Sequence, residues 1–298
     1  MSAHEVVEIS DTGPAAPQEE PPSPQKELPA GVSSKRQKFA LLKAARRVWA
    51  IASIHGEAGR LETLHHELGE RLKPGDRVVY MGNMLGRGQK VHQTINELLI
   101  FRREFLSLPY IFAGDIAYLR GSQEEMWQKL LQLQFASDPR GVLGWMLEQG
   151  LGPTLGAYGI SPDDGLREAR AGPMQLTRWT SRLRRTIQEQ PGHYELLGAL
   201  RRAAHTGDGK LLFVNAGIDP TRPIETQKDT FWWVSGAFGK IEKPYAGYRR
   251  VIRGFAPEHP GLQLSAHTAT VDAGCGFGGP LIAVCFVPSG EVVDQLEA

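Results

Sequence analysis

Apolar residues in this chain fall into short continuous runs, and most of these runs end near a glycine. The runs VWAIA (48–52), VVYM (78–81) and KLLFVNA (210–216) have the length of buried strands. Between the first two runs, leucines recur at the spacing of one helical face, at Leu61, Leu64, Leu68 and Leu72. Strand, glycine loop and helix in repeated order predict an α/β fold with mostly parallel strands.

The two ends of the chain differ from this pattern. Residues 1–32 are rich in Pro, Glu and Ser and have few large apolar side chains, so we expect a disordered tail. In residues 33–47, a serine can cap a helix whose apolar residues share one face, which predicts a basic leading helix. Residues 291–298 follow the last apolar run, and we expect a C-terminal tail there.

Composition narrows the possible functions only slightly. The chain has 298 residues, is 41% hydrophobic and 22% charged, and carries a net charge of +1, so nothing indicates a nucleic-acid or membrane partner. No signal peptide and no apolar run of membrane-spanning length is visible, which predicts a cytoplasmic protein. Cys275 and Cys285 lie in an apolar stretch and are expected to be reduced and buried.

Polar loops follow the predicted strands. The first strand runs into SIHG (53–56), the second into GNMLGRG (82–88), and the third ends in LRGSQEEM (119–126). Asn215 and the segment RGFAP (253–257) follow later strands. Since α/β folds present their chemistry at the carboxyl ends of strands, these loops are the candidate functional site.

In this order, the loops resemble motifs of the calcineurin-like metallophosphoesterases, in particular the phosphoprotein phosphatase family: G-D-x-H-G, G-D-x-x-D-R-G, L-R-G-N-H-E-x-M and V-V-H-G-H-T-P. The resemblance covers about residues 48–287. It implies a two-sheet α/β sandwich with flanking helices over 48–290 and a helical cap inserted at about 122–205. Trp145 and Tyr158 match the cap of bacterial members. Core packing is the expected role of these two aromatics, with lining of a substrate groove as the alternative.

The resemblance also assigns metal positions. Active members hold two divalent metals of the Mn, Fe or Zn type, and the matching residues are Ser53, His55, Asn83, Ser122, Asn215 and Phe255. Two-metal sites hold their ions about 3.5–4 Å apart, and hard cations at that distance need anionic oxygen ligands. None of the six residues is a carboxylate, and only His55 is a good ligand. We therefore expect no metal cofactor.

The acid machinery of the family is also altered. Gly86 and Gln123 stand where active members have an aspartate and a general-acid histidine. Neither can donate a proton to a leaving group at neutral pH, so we expect catalysis to be lost. The nearby acids are expected to be structural, at Glu57, Asp115, Glu124 and Asp272, with a single-metal site around His55 and Glu57 as the alternative.

What remains at these positions is basic. Arg87 matches a family residue that binds the substrate phosphate, and Arg253 adds a cation, so that with His55 they are the candidate anion-binding residues. Loop amide groups are expected to assist them. The alternative is that Arg87 pairs with a neighbouring acid and holds its loop. Ser235 stands where many members have a phosphate-binding arginine.

The sequence thus predicts a degenerate serine/threonine-protein-phosphatase-like chain, a pseudophosphatase that binds a phosphoprotein or a phosphate-containing small molecule. One alternative is an active metal-dependent phosphoesterase, either a protein phosphatase or a dinucleoside polyphosphate hydrolase, with an atypical site. The other is a structural interaction domain whose pocket is closed by Phe255. Fold alone does not decide whether the chain is an enzyme.

Overall fold

The computed structural model describes residues 38–234 and 236–298, so the predicted tail 1–32 and Ser235 lie outside it. Its strands are β1 (Phe39–Leu42), β2 (Arg47–Ile51), β3 (Asp76–Tyr80), β4 (Ile116–Tyr118), β5 (Ala203–Thr206), β6 (Leu211–Val214), β7 (Arg250–Arg253), β8 (Gly261–Leu264), β9 (Thr268–Asp272), β10 (Ile282–Phe286) and β11 (Val292–Glu297). Its α-helices are α1 (Ala58–Arg71), α2 (Val91–Ser107), α3 (Ser122–Leu130), α4 (Pro139–Met146), α5 (Gly152–Ala157), α6 (Pro162–Ala171), α7 (Pro173–Gln188) and α8 (His193–Gly198).

The strands form two sheets. One has the order β11-β10-β2-β3-β4 and the other the order β1-β5-β6-β7-β9-β8. Strands β2, β3 and β4 are parallel, as are β6, β7 and β9. Parallel neighbours end at the same edge, so the loops that follow β2, β3, β4, β6 and β7 are brought together.

The two sheets pack face to face around an apolar core. In β6, Leu211 and Phe213 point into this core, whereas Leu212 and Val214 pack in a second apolar cluster on the other face of their sheet. Phe213 meets Phe286 of the opposite sheet edge-on, with ring centres 6.5 Å apart. The predicted two-sheet α/β sandwich is confirmed.

Helices α1 and α2 each connect parallel strands, and α3–α8 follow β4 without an intervening strand. They correspond to the predicted helical cap, although the chain returns to a strand at β5, before residue 205. In the cap, Tyr158 is buried, and its hydroxyl lies 2.8 Å from Nδ1 of His193. Trp145 is 43% exposed and contacts Trp233, so only Tyr158 has the expected core position.

The structure corrects two predictions at the ends. Within the described residues of 33–47, Phe39–Leu42 is strand β1 and not a helix, because it pairs in parallel with β5. Ala44, at φ +49°, then turns the chain towards β2, which a continuous helix would not allow. The predicted C-terminal tail is also wrong, because β11 pairs with β10 and buries Leu296.

Two further expectations concern single residues and membrane contact. Cys275 and Cys285 are free and buried, as predicted, and burial raises the pKa of each thiol to about 12. Across residues 38–234 and 236–298, no helix combines the length and apolar character that crossing a bilayer requires.

Candidate functional site

The loops at the strand ends bring three of the six residues assigned to metal binding, Ser53, Asn83 and Ser122, into one buried, hydrogen-bonded cluster. Ser53 follows β2, Asn83 follows β3 and Ser122 begins α3 after β4. Their side chains touch: Asn83 Nδ2 donates to Ser53 Oγ at 3.2 Å, and Ser122 Oγ donates to Asn83 Oδ1 at 3.2 Å. The second sheet closes the cluster, since Ser53 Oγ donates to the carbonyl of Gly254 at 3.0 Å.

Asn83 is the centre of this network and is fully buried. Besides the Ser122 hydroxyl, its Oδ1 accepts a hydrogen bond from the backbone N–H of Gln123 at 3.1 Å. Both ends of the amide are therefore used in protein contacts. Its backbone is left-handed, at φ +53°, a conformation that asparagine tolerates better than most residues. The position thus carries a neutral hydrogen-bonding amide that holds three loops together.

The donor chemistry of the cluster does not fit a two-metal centre. It contains no carboxylate, and the oxygens of Asn83 and Ser53 already take part in hydrogen bonds within the protein. In the described part of the chain, no group of three or more His, Cys, Asp or Glu side chains is placed to hold a metal ion. Neutral oxygens would leave the repulsion between two dications uncompensated.

Glu124 holds the glycine loop 82–88 in place through hydrogen bonds to its backbone. Its carboxylate is buried and accepts hydrogen bonds from the backbone N–H groups of Asn83, Leu85 and Gly121, at 2.9, 3.0 and 2.8 Å. Burial raises the pKa of Glu124, while the three N–H donors oppose that rise. The structural role expected for this acid matches these contacts.

These contacts correct the expectation that loop amides would bind an anion. The backbone N–H of Gly86 donates to Thr154 Oγ1 at 3.0 Å, that of Arg87 to the Gly150 carbonyl at 3.0 Å, and that of Gly88 to the His55 carbonyl at 2.6 Å. Together with the two N–H groups bound to Glu124, they are consumed within the protein. The loop is stabilised by its own neighbours and has little donor capacity left for a ligand.

Gln123 fills the space beside Gly86. Its Nε2 donates to the carbonyl of Gln149 at 2.8 Å, and its Oε1 is buried without a hydrogen-bond partner among the described residues. A Cβ at Gly86 would lie 2.5 Å from Gln123 Cδ. At the two positions where the resembled family has acid groups, this chain therefore has the Gln123 amide packed against Gly86, which has no side chain.

His55 lies at the bottom of an aromatic cluster and is 1% exposed. Its ring meets Phe277 edge-on, with centres 5.3 Å apart, and Phe255 at 6.0 Å. Neither ring nitrogen has a hydrogen-bond partner in the described structure. Burial, with smaller contributions from Arg87 and His259, lowers the pKa of His55 to about 3, so the imidazole is neutral at physiological pH.

Two residues of this cluster were not predicted from the sequence. Phe277 lies in a loop with left-handed glycines on both sides, Gly276 and Gly278, and is 41% exposed above His55. The ring of His259 is tilted by 39° against that of Phe277, with centres 4.3 Å apart, and its Nδ1 lies 2.9 Å from the buried carboxylate of Asp272. The alternation of glycines in CGFGG (275–279) was the available signal for an exposed aromatic side chain.

Arg87 lies at the edge of the aromatic cluster. Its guanidinium stacks on the Phe277 ring at 4.1 Å, and its Nε is buried without a partner. No acid pairs with it in the described residues, so the alternative of a loop-holding ion pair is not observed. Burial lowers the pKa of Arg87. Gly150 permits this approach, because a Cβ there would lie 2.7 Å from Arg87 Cγ.

The contacts of Arg253 lie outside the aromatic cluster around His55. Its Nε donates to Thr270 Oγ1 at 2.9 Å, and its guanidinium lies over the ring of Phe238 at 4.5 Å. Phe238 belongs to the second apolar cluster, on the face of the sheet that points away from the main core. Strand alternation explains this, since the neighbouring Ile252 faces the main core.

Two further nearby acids, Asp115 and Asp272, form contacts within the protein. Asp115 pairs with Arg77 at 2.9 Å, and Asp272 accepts the N–H of Ala256 at 2.8 Å besides its contact with His259. Asn215 Nδ2 donates to the Met81 carbonyl at 2.7 Å, while its Oδ1 is buried without a partner in the described structure. These contacts agree with the structural roles expected for both acids.

No protein-family model matches the chain, and no curated protein matches it. Solved structures do. A protein assigned as a diadenosine tetraphosphatase is 16% identical, over 87% of this chain and 98% of its own, at a TM-score of 0.47. A protein serine/threonine phosphatase from Saccharomyces cerevisiae with similarity to human phosphatase PP5 is 13% identical, over 88% and 84%, at 0.46. A cold-active protein-tyrosine phosphatase of a psychrophilic Shewanella is 13% identical, over 93% and 88%, at 0.46.

Proposed function

We propose that this chain is a pseudophosphatase, which has a phosphoesterase-type fold but binds a phosphate group without hydrolysing it by the two-metal route. The observation that carries this proposal is the hydrogen-bonded cluster of Asn83, Ser53 and Ser122. Each of these side chains satisfies another, so the cluster is stable without a metal. The ligand is a phosphoprotein or a phosphate-containing small molecule, and the cytoplasmic location expected from the sequence stays a prediction.

Arg87 is the group that would contact the phosphate. Its charge has no acidic partner among the described residues, and its buried Nε lacks an acceptor. A buried donor without an acceptor is costly, and a phosphate oxygen would satisfy it with a charge-assisted hydrogen bond. The guanidinium plane is already oriented by Phe277, which lowers the entropy that binding has to overcome.

The active-phosphoesterase alternative needs a metal ligand set or a general acid in the same place. Gln123 and Gly86 supply no acid, and the cluster around Asn83 supplies no carboxylate. A purely structural interaction domain, the third possibility, would leave the Arg87 Nε–H without a ligand.

The test is a titration followed by NMR. The Nε–H resonance of Arg87, identified by its loss in Arg87→Lys, should shift when phosphate is added and should not shift with chloride at equal ionic strength. Arg103→Lys, at an exposed position on α2, is the matched control and should leave the shift intact. An Arg87 resonance whose chemical shift does not change at any phosphate concentration would refute phosphate binding at this site.

A further inference from the structure

A second polar cavity lies apart from the cluster around Asn83. It has a volume of about 610 Å³, and Arg120 and Glu125 in its lining come from the loop after β4. None of the residues assigned above to metal, acid or anion-binding roles lines it. Its basic side chains come from four separate parts of the chain and are Lys38, Arg120, Lys129, Arg202 and Lys228. The acids in its lining are Glu125, Glu225 and Asp229. The cations therefore outnumber the acids by five to three.

Backbone pairing places two of these arginines, Arg120 and Arg202, close to each other. Leu119, just after β4, forms an isolated parallel bridge with Arg201, just before β5. The next residue on each segment is an arginine, and both guanidinium groups lie 5.8 Å from the centre of the same Trp232 ring. Trp232 thus holds two like charges near each other at the cavity wall.

Three of the five cations in the lining form no ion pair within the described residues. Glu125 is shared between Arg120, at 3.1 Å, and Lys129, at 3.8 Å. For Lys38, Arg202 and Lys228, no ion pair is present within residues 38–234 and 236–298. Because the cations of the lining outnumber its acids, the cavity keeps a net positive charge, which favours an anion.

A separate observation points to a missing acceptor. Trp232 is 4% exposed, and its indole Nε1–H is buried without a hydrogen-bond partner in the described structure. The Nε–H of Arg120, in the same wall, is also buried and unpartnered. Both groups are donors only, so what they lack is an acceptor. The donors without acceptors and the net positive charge of the lining both indicate an anionic ligand.

We propose that this cavity is a binding site for a phosphate monoester. The phosphate would accept from the Arg202 guanidinium and from the orphan donors in the wall, and the rest of the cavity would hold the group that carries it. Inorganic phosphate itself has the same head chemistry. The proposal does not rest on Arg87, because a different set of residues forms each site.

The probe is inorganic phosphate, and the readout is the indole Nε1–H resonance of Trp232, identified by its loss in Trp232→Phe. We expect this resonance to shift on titration, with a Kd that becomes about tenfold weaker in Arg202→Gln, since one charge-assisted contact is worth roughly that factor. Lys228→Gln, at an exposed position, should weaken binding as well and avoids any folding defect of the Arg202 variant. Lys73→Gln, exposed and remote from the cavity lining, should have no effect.

The two anion sites separate cleanly in this experiment. Arg87→Lys should leave the Trp232 response unchanged, whereas Arg202→Gln should leave the Arg87 response unchanged. O-phospho-L-serine and glucose 6-phosphate as further probes distinguish a phosphorylated side chain from a sugar phosphate. A Trp232 resonance that does not move with any of these probes, or moves equally in Lys228→Gln, Arg202→Gln and wild type, would overturn the proposal.

Discussion

The side chain of Gln123 occupies the space into which a side chain at Gly86 would extend. A Cβ at Gly86 would lie 2.5 Å from both Cδ and Oε1 of Gln123, and the amide is held in place by its bond to the Gln149 carbonyl. Both residues stand at positions where the resembled enzymes carry acid groups. The two changes are physically coupled, because the amide in its observed position leaves no room for an acid at residue 86.

This coupling is measurable as a stability effect. Gly86→Ala should destabilise the protein by about 2–5 kcal/mol, from overlap with Gln123 and from the left-handed backbone at φ +95°. In a Gln123→Ala background the cost should fall, because the overlap is removed and only backbone strain remains. Chemical denaturation of the four proteins of this cycle gives the coupling energy.

Gly209→Ala is the matched control for backbone strain. Gly209 has φ +68°, but nothing lies within 4 Å of a Cβ built there. Its cost should be about 1–2 kcal/mol and independent of Gln123. Equal costs at both glycines, or a Gly86 cost unchanged by Gln123→Ala, would show that the amide is not packed against Gly86.

Removing the imidazole of His55 should stabilise the protein. His55→Phe replaces two buried nitrogens that have no hydrogen-bond partner by apolar atoms, in a cluster that already contains Phe255 and Phe277. The expected gain is about 1–2 kcal/mol, because an unsatisfied buried polar group costs about that much. A loss of several kcal/mol on denaturation would mean that His55 has a ligand.

Acid sensitivity provides a second test of His55. Its pKa is about 3 in the folded protein against an ordinary value of 6.5, so the unfolded chain binds more protons between these values. The contribution of neutral His55 to the free energy of unfolding is therefore fully present above pH 6.5. It is lost as pH falls towards 3, at up to about 1.4 kcal/mol per pH unit. The slope should be reduced in His55→Phe, with a remainder from His193, whose pKa is lowered to about 4, and from His65, whose pKa burial also lowers. A wild-type slope in His55→Phe would contradict this account.

Phe277 is expected to exclude water from His55. Phe277→Ala removes the ring that covers His55 and stacks on Arg87, so the pKa of His55 should rise from about 3 towards its ordinary value. NMR titration of the imidazole protons measures this directly. Phe135→Ala, which truncates an 82% exposed ring, should not change that pKa. An unchanged titration in Phe277→Ala would assign the burial of His55 to other residues.

Glu124 should be needed for the shape of the glycine loop. Glu124→Gln retains one oxygen but places an amide N–H among three backbone donors, so a loss of about 2–4 kcal/mol is expected. Hydrogen exchange at Asn83, Leu85 and Gly121 should speed up in the variant. Glu62→Gln, on the exposed face of α1, is the control and should change neither quantity.

The sequence predicted the parts of the fold that depend on local pattern. Buried strands such as β2 and β3 were recognisable as continuous apolar runs, and their common edge followed from their parallel order. Strand β1 was not, because its apolar residues also suit one face of a helix, and pairing with β5 decides its conformation. Strand β11 was missed for a similar reason, since its partner β10 is what makes it a strand.

The sequence predicted which residues form the candidate site, but it did not predict the hydrogen bonds between them. The convergence of Ser53, Asn83 and Ser122 followed from the strand ends, and the lack of carboxylates followed from the residue types. The use of the loop amides by Glu124 required the positions of side chains from another loop. The direction of Arg253 depended on which face of β7 points to the core, which the sequence did not reveal.

The most direct test of the central claim is the metal content of the full-length protein after incubation with excess Mn²⁺ and desalting, measured by elemental analysis. His55→Phe serves as the matched control, since it removes the one good ligand of the cluster. The account predicts near-zero metal in both proteins and no Mn²⁺-dependent hydrolysis of a generic phosphoester above the control. One or two metal ions per chain in the wild type, lost in His55→Phe and accompanied by hydrolysis, would contradict the account and establish an active phosphoesterase.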